Sequence, residues 1–305
     1  MPGHVAILGV FVADTAYRAD RQPKMGETIL GNAFALGPGG KGSNQAVAAA
    51  KAGAEVRFIS KLGHDTFGDM AMQTWQDAGV TPVVTRHTDL PTGAAFIFVE
   101  EATGNNAIII SPGVAATISV EDVRAQRDAI ETAAVFVTQL EQPIDAALDA
   151  LRMARAAGVK TILNPAPAAP LPDGMLALCD LVTPNESETE ALTNLPVRSV
   201  AEAETAAAAL LAQGAGAALI TLGENGALFH DGTRTAHIPA LNAGPVVETT
   251  GAGDAFNGGL AAALASGADP IEAARFGTAT AALSVTRPGT APSMPSRAEI
   301  DALMQ

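Results

Sequence analysis

The chain has 305 residues, 48% of them hydrophobic, enough to bury a full core in one large domain or two smaller ones. Its 32 acidic and 18 basic side chains give a formal charge of -14. Such a surface repels nucleic-acid phosphates and anionic lipid headgroups, so an anionic ligand has to be held by local donors.

The N-terminal Pro2-Gly3-His4 leads directly into the strand-like run Val5–Val10, with no basic segment before it. No apolar stretch reaches the ~20 residues of a membrane span, so a cytoplasmic protein is expected. Met25–Ala35 then reads as a strand without a crossover helix. Asn44–Ala52 reads as a helix, Val56–Ser60 as a buried strand and Thr66–Ala78 as a helix. Ala94–Glu100 and Asn106–Ile110 flank a Thr103-Gly104-Asn105 turn and read as a second pair of strands without a crossover. From there the alternation is regular: strand Ala134–Thr138, helix Ile144–Ala157, strands Thr161–Leu163 and Leu181–Thr183, helix Ala201–Gln213, strand Ala218–Thr221. The one cysteine, Cys179, excludes an intrachain disulfide and sits in an apolar run, as a buried structural thiol would. Two Ala/Gly-rich segments, Asp254–Ser266 and Ile271–Val285, read as closely packed helices.

Alternating strands and helices predict an α/β fold, a doubly wound and mostly parallel sheet covered by helices on both faces. The strands that break the rhythm predict a small β lid, inserted at about 12–38 and 92–112 of a single domain spanning 1–305.

The most informative segment is Thr249-Thr250-Gly251-Ala252-Gly253-Asp254-Ala255-Phe256-Asn257-Gly258. A glycine turn that opens a helix presents unpaired N–H groups at the positive end of the dipole, which suits a transferring phosphoryl group. The acid in the first turn reads either as a helix-favouring charge or as a base aimed at a nucleophile. Two familiar nucleotide motifs fail. A dinucleotide fingerprint needs a third glycine where Phe256 stands. A Walker A loop needs Ser or Thr after the lysine, but Gly39-Gly40-Lys41 is followed by Gly42.

The chain resembles the PfkB, or ribokinase, family of carbohydrate kinases over essentially its whole length. The early signature is Gly39-Gly40-Lys41-Gly42-Ser43-Asn44-Gln45-Ala46 and the late one is Thr249–Gly258. Between them stand Gln139-Leu140-Glu141, Asn164-Pro165-Ala166-Pro167, Thr183-Pro184-Asn185-Glu186-Ser187-Glu188 and Thr221-Leu222-Gly223, in the family's order. The resemblance implies ATP as phosphoryl donor to a small sugar, with Mg²⁺ and K⁺. Asp254 is then the base, and the N–H groups of Gly251, Ala252 and Gly253 form an anion hole. Asp14, Gly40, Lys41, Asn44 and Glu141 match sugar-binding positions, while Asn185, Thr221, Gly223 and Gly253 match the nucleotide side. Glu188 matches a group that orders Mg²⁺ through water, although Asn185 and Glu188 also have capping-box spacing. Glu248, Thr250, Ser284, Arg287, Gly289 and Ser293 match a monovalent-cation site, and the family implies a homodimer formed through the lids.

Three positions depart from the family's pattern. Val12 stands where a sugar-binding asparagine is expected, Glu248 replaces an aspartate of the cation site, and Thr278 replaces an adenine-side histidine. Because Val12 neither donates nor accepts, the sugar facing it is expected to lack, invert or move one hydroxyl relative to ribose. Ribose or a related pentose, phosphorylated on its terminal hydroxyl, is the leading substrate. Kinases of 2-deoxyribose, fructose or a nucleoside, and a non-catalytic sugar or nucleotide sensor, are the alternatives.

Overall fold

The computed structural model describes residues 3–305, so Pro2 lies outside the described residues. Thirteen strands occur among these residues: β1 (Val5–Leu8), β2 (Val12–Ala19), β3 (Ala33–Gly39), β4 (Val56–Gly63), β5 (Val80–His87), β6 (Thr92–Glu100), β7 (Asn106–Gly113), β8 (Val135–Thr138), β9 (Lys160–Leu163), β10 (Leu181–Val182), β11 (Ala218–Thr221), β12 (Ala227–His230) and β13 (Thr235–Ile238). The α-helices are α1 (Lys41–Lys51), α2 (Thr66–Ala78), α3 (Val120–Ala125), α4 (Arg127–Glu131), α5 (Ile144–Ala156), α6 (Glu186–Thr193), α7 (Val200–Ala212), α8 (Ala252–Ala265), α9 (Pro270–Ser284) and α10 (Arg297–Leu303).

Nine strands form the main sheet in the order β13-β12-β11-β10-β9-β8-β1-β4-β5. All neighbours from β11 to β5 are parallel, and only β12 runs against its two neighbours. β1 and β8 are buried along their whole length, as apolar runs covered by helices on both faces must be. From β1 the chain moves outward to β4 and β5, then returns to β8 on the other side of β1. That reversal opens a crevice beyond the carboxyl ends of β1 and β8, the usual ligand position in such sheets.

Helix ends follow local chemistry: the side chains of Asp65, Ser199 and Asp269 accept N–H bonds at the starts of α2, α7 and α9. Trp75 of α2 is fully buried, packs on Phe58 at 4.9 Å and donates its indole N–H to Ser43 Oγ at 2.9 Å. The expected close helix packing is present. A Cβ at Gly258 of α8 would lie 2.4 Å from Ala48 Cβ, so α8 approaches α1 almost backbone to backbone.

The second sheet has the order β3-β2-β6-β7, with β2 and β6 parallel and the outer pairs antiparallel. Its strands enter and leave near the carboxyl end of β1, where it forms a lid. The predicted strand at Met25–Ala35 is corrected to Ala33–Gly39. Met25 and Leu30 are 103% and 94% exposed, and pairing with β2 begins only at Ala33 opposite Arg18. Residues 20–32 instead form a surface loop, clasped by Arg21 donating to Glu27 at 2.6 and 2.7 Å. The strand reading of the sequence does not single out β2, β5, β12 or β13: burial along β2, β5 and β13 mixes exposed and half-buried positions, while β12 is a four-residue strand buried at Ala227–Phe229.

Candidate active site

The loops after β1, β8, β9 and β10 and the starts of α1 and α8 converge on the crevice. Helix α1 can begin there because Gly40 adopts φ 88, and a Cβ on it would lie 2.5 Å from Val10 O. Gly251 caps α8 with φ 83 in the left-handed region, turning the chain so that the helix start faces the site.

Asp254 stands in the first turn of α8 and is 7% exposed. Asn44 Nδ2 donates to its Oδ2 at 2.9 Å and Gln45 Nε2 to its Oδ1 at 3.1 Å. Burial pushes this carboxyl up from its ordinary value, while the Lys41 charge and the two amide bonds pull it back. Ala252 N–H is turned back to Thr249 O at 3.1 Å, whereas the N–H groups of Gly253 and Asp254 have no partner among the described residues. Gly251 N–H is likewise without a partner among the described residues, so the donors available to an anion at this helix start are those of Gly251, Gly253 and Asp254.

A cavity of ≈ 160 Å³ opens beside these groups, lined among others by Lys41, Asn185, Glu188, Thr221, Gly253 and Asp254. Lys41 lines this cavity next to the α8 start, and its backbone N–H donates to Glu141 Oε2 at 2.7 Å. Asn185 and Glu188 form the capping box in full: Glu188 N–H donates to Asn185 Oδ1 at 2.8 Å and Asn185 N–H to Glu188 Oε2 at 2.9 Å. Burial raises the Glu188 carboxyl, and its other oxygen remains free of protein donors. Gly223 begins the turn after β11 with φ 51, at the exposed rim.

Across the crevice, β2 carries Asp14. Burial raises this carboxyl to about 6, helped by the charges of Asp254 and Glu248. Burial likewise raises Glu141 to about 7, against the pull of Lys41 and its backbone N–H. Asp14, Glu141 and Asp254 thus form an acidic crescent with Lys41 as its cation. Val12 is 6% exposed and shares a face of β2 with Asp14, two residues on.

The six predicted cation-site residues gather only in part. Glu248 Oε2 accepts the N–H of Gly289 at 2.8 Å, and Glu248 N–H donates to Val285 O at 3.2 Å, next to Ser284. The hydroxyls of Ser284 and Ser293 are turned back on Ala281 O and Thr290 O, both at 2.7–2.8 Å. Arg287 points away, its guanidinium on Glu299 at 2.6 Å, and Thr250 lies exposed in the turn before α8. Thr278 is 6% exposed, with its hydroxyl bonded to Ala274 O.

Gln45, Gln139 and Asn164 belong to this site although no role was assigned to them from sequence. Their signal is available in part: Gln45 is a polar residue directly before the apolar run Ala46–Ala50, with nothing local for it to cap.

Comparison with known proteins gives one consistent picture. Residues 4–297 match the model of the pfkB family carbohydrate kinases. The ribokinase of Haemophilus influenzae is 37% identical over 97% of this chain and 96% of its own length. The deoxyribokinase of Salmonella typhi is 36% identical over 96% of this chain and 95% of its own. Among solved structures, Arabidopsis thaliana ribokinase complexed with ribose and ATP superposes with a TM-score of 0.94 at 30% identity, covering 100% of this chain and 99% of that one. With a match over nearly its whole length and the same architecture, the chain belongs to the pfkB family and is an ATP-dependent carbohydrate kinase.

Proposed function

We propose that this enzyme transfers the terminal phosphoryl group of ATP to the 5-hydroxyl of ribose, with Asp254 as the base. The observation that carries this reading is the juxtaposition at the start of α8. A buried carboxylate stands beside unpartnered N–H groups and opens onto a cavity lined by Lys41. The acceptor hydroxyl gives its proton to Asp254 as its oxygen attacks phosphorus, and the bond from phosphorus to the ADP oxygen breaks. The N–H groups at the α8 start and the Lys41 ammonium meet the charge on the transferring group, the positioning and electrostatics that phosphoryl transfer needs. Asp14 and Glu141 accept hydrogen bonds from sugar hydroxyls, and the Asn44 Oδ1, buried without a protein partner, is placed to accept another.

Glu188 fits a role towards Mg²⁺: one carboxylate oxygen is free beside the nucleotide cavity, and a hard cation takes oxygen ligands directly or through water. When bound, the ion neutralises phosphate charge. Glu248 and the 284–293 turn offer oxygen donors suited to K⁺, with the Glu248 carboxylate joined to Gly289. Arg287 would take part through its backbone alone.

The lid exposes Tyr17, Phe34, Leu36, Phe96 and Ile109 on one face of β3-β2-β6-β7, and Ile108 and Ile110 on the other. So much apolar surface on a sheet with open edges supports a homodimer through the lids. The buried, reduced Cys179 suits a cytoplasmic enzyme.

A second substrate reading, 2-deoxyribose, is favoured by Val12, which puts an apolar wall on the Asp14 face where a sugar hydroxyl would want a partner. The test is ADP formation from MgATP with ribose, 2-deoxyribose, fructose and nucleosides, with and without K⁺. Sugar-dependent turnover that disappears in Asp254→Asn supports the reading. Tight sugar binding without turnover would replace it with a sensor.

A further inference from the structure

Asp254 is a buried carboxylate with no cation in hydrogen-bond contact; amides hold both of its oxygens. One of them, Gln45, is 0% exposed and has both of its amide hydrogens and its oxygen engaged. Its Nε2 donates to Asp254 Oδ1 at 3.1 Å and to Asn164 Oδ1 at 3.0 Å, while its Oε1 accepts from Gln139 Nε2 at 2.7 Å. The two neighbours dictate which way this amide faces. Asn164 Nδ2 is committed to Thr183 O at 2.9 Å, so its Oδ1 must look towards Gln45. Turning Gln45 over would press its oxygen against two acceptor oxygens and its N–H groups against the Gln139 donor.

Gln139 reaches this position only because two glycines make room. A Cβ at Gly9 or Gly42 would lie 2.6 or 2.8 Å from Gln139 Oε1. That oxygen is buried without a partner. An unpaired buried oxygen is costly, so the amide is kept there for what its nitrogen does.

We propose that Gln45 is a positioning residue for phosphoryl transfer, locked by Gln139 and Asn164 with its N–H side towards Asp254, so that this carboxylate stays ionised and fixed in direction. The proposal rests on the reading of Asp254 as the base. Several charged groups face the same space: Lys41 on α1, Asp14 on β2, Glu141 beyond β8, Glu188 on α6 and Glu248 ahead of α8. Asp14 and Glu141 titrate in the neutral range but act on sugar affinity. The base is therefore read from kcat at saturating sugar and MgATP, not from kcat/KM.

The experiment compares the intact enzyme with Gln45→Met and Gln139→Met, using whichever of ribose and 2-deoxyribose turns over faster. In Gln45→Met the acid limb of kcat is expected to move up by about one pH unit. That is a roughly tenfold lower kcat below the limb, recovered at high pH, with both KM values within about threefold. Gln139→Met leaves the Gln45 N–H groups in place but free to turn, and shifts the limb the same way by less. An unmoved limb in both variants overturns the proposal, as does an equal loss of kcat at every pH. If Gln45→Met fails to fold, Gln139→Met decides alone by the same criterion. Asp254→Asn separates the two readings. If it keeps kcat, the base assignment itself falls; if it loses kcat while both glutamine variants keep the wild-type limb, only the role of Gln45 falls.

Discussion

The acidic crescent predicts that the ligand-free enzyme loses stability as pH rises through neutrality. Glu141 moves from its ordinary 4.5 to about 7 because folding takes it out of water. A folded state that binds the proton more tightly than the unfolded chain is stabilised by that proton. The contribution is complete below the unfolded value and is lost as pH climbs through about 7. At full burial the difference is worth about 3 kcal/mol, reduced to about 2 kcal/mol by the water that reaches a half-buried group. Asp14, raised to about 6 by burial first and by Asp254 and Glu248 second, acts in the same direction. Glu141→Gln removes the titration but keeps an oxygen to accept the Lys41 N–H bond at 2.7 Å. Thermal unfolding of the sugar-free protein between about pH 5 and about pH 8 is the assay, with roughly 4 °C of Tm at stake for Glu141 alone. The wild type should show its Tm falling across this range, and Glu141→Gln should show a visibly shallower fall. Equal slopes in the two proteins would refute the argument that burial of Glu141 sets the effect.

Asp254→Asn should lower kcat by about a thousandfold, while calorimetric binding of sugar and MgATP changes only a few-fold. Val12→Asn should raise the ratio of kcat/KM for ribose over 2-deoxyribose by about tenfold, since it offers one hydroxyl a partner it lacks in the wild type. An unchanged ratio would mean that Val12 does not face the distinguishing hydroxyl. Ile109→Lys on the exposed lid should reduce the sedimentation mass to that of one chain. A wild type that already sediments as a single chain would dispose of the lid dimer.

Much of the architecture was legible along the chain because strands buried on both faces announce themselves. Ala134–Val137 and Ala218–Ile220 are uninterrupted apolar runs and Val56–Ile59 is broken only by Arg57, and each run falls on a strand of the main sheet. The lid was harder to read. Its strands are covered on one side at most, so β2 reads VADTAYRA, without a clean period, and the apolar residues Met25 and Leu30 drew the expected strand into what is a loop. Apolar character alone does not distinguish a residue that pairs from one left in solvent.

The local sequence by itself determined where α8 begins and that an acid stands in its first turn, because Gly251 and the small residues after it leave few other backbones open. It also set the Asn185–Glu188 capping box, a contact between residues three apart. What only the tertiary structure decided is how Asp254 is held. Asn44 and Gln45 come from α1, Gln139 from beyond β8 and Asn164 from beyond β9, over a hundred positions apart in places. Amide hydrogen bonds are short and directional, so such a network exists only once the reversal between β1 and β8 has brought those strand ends together.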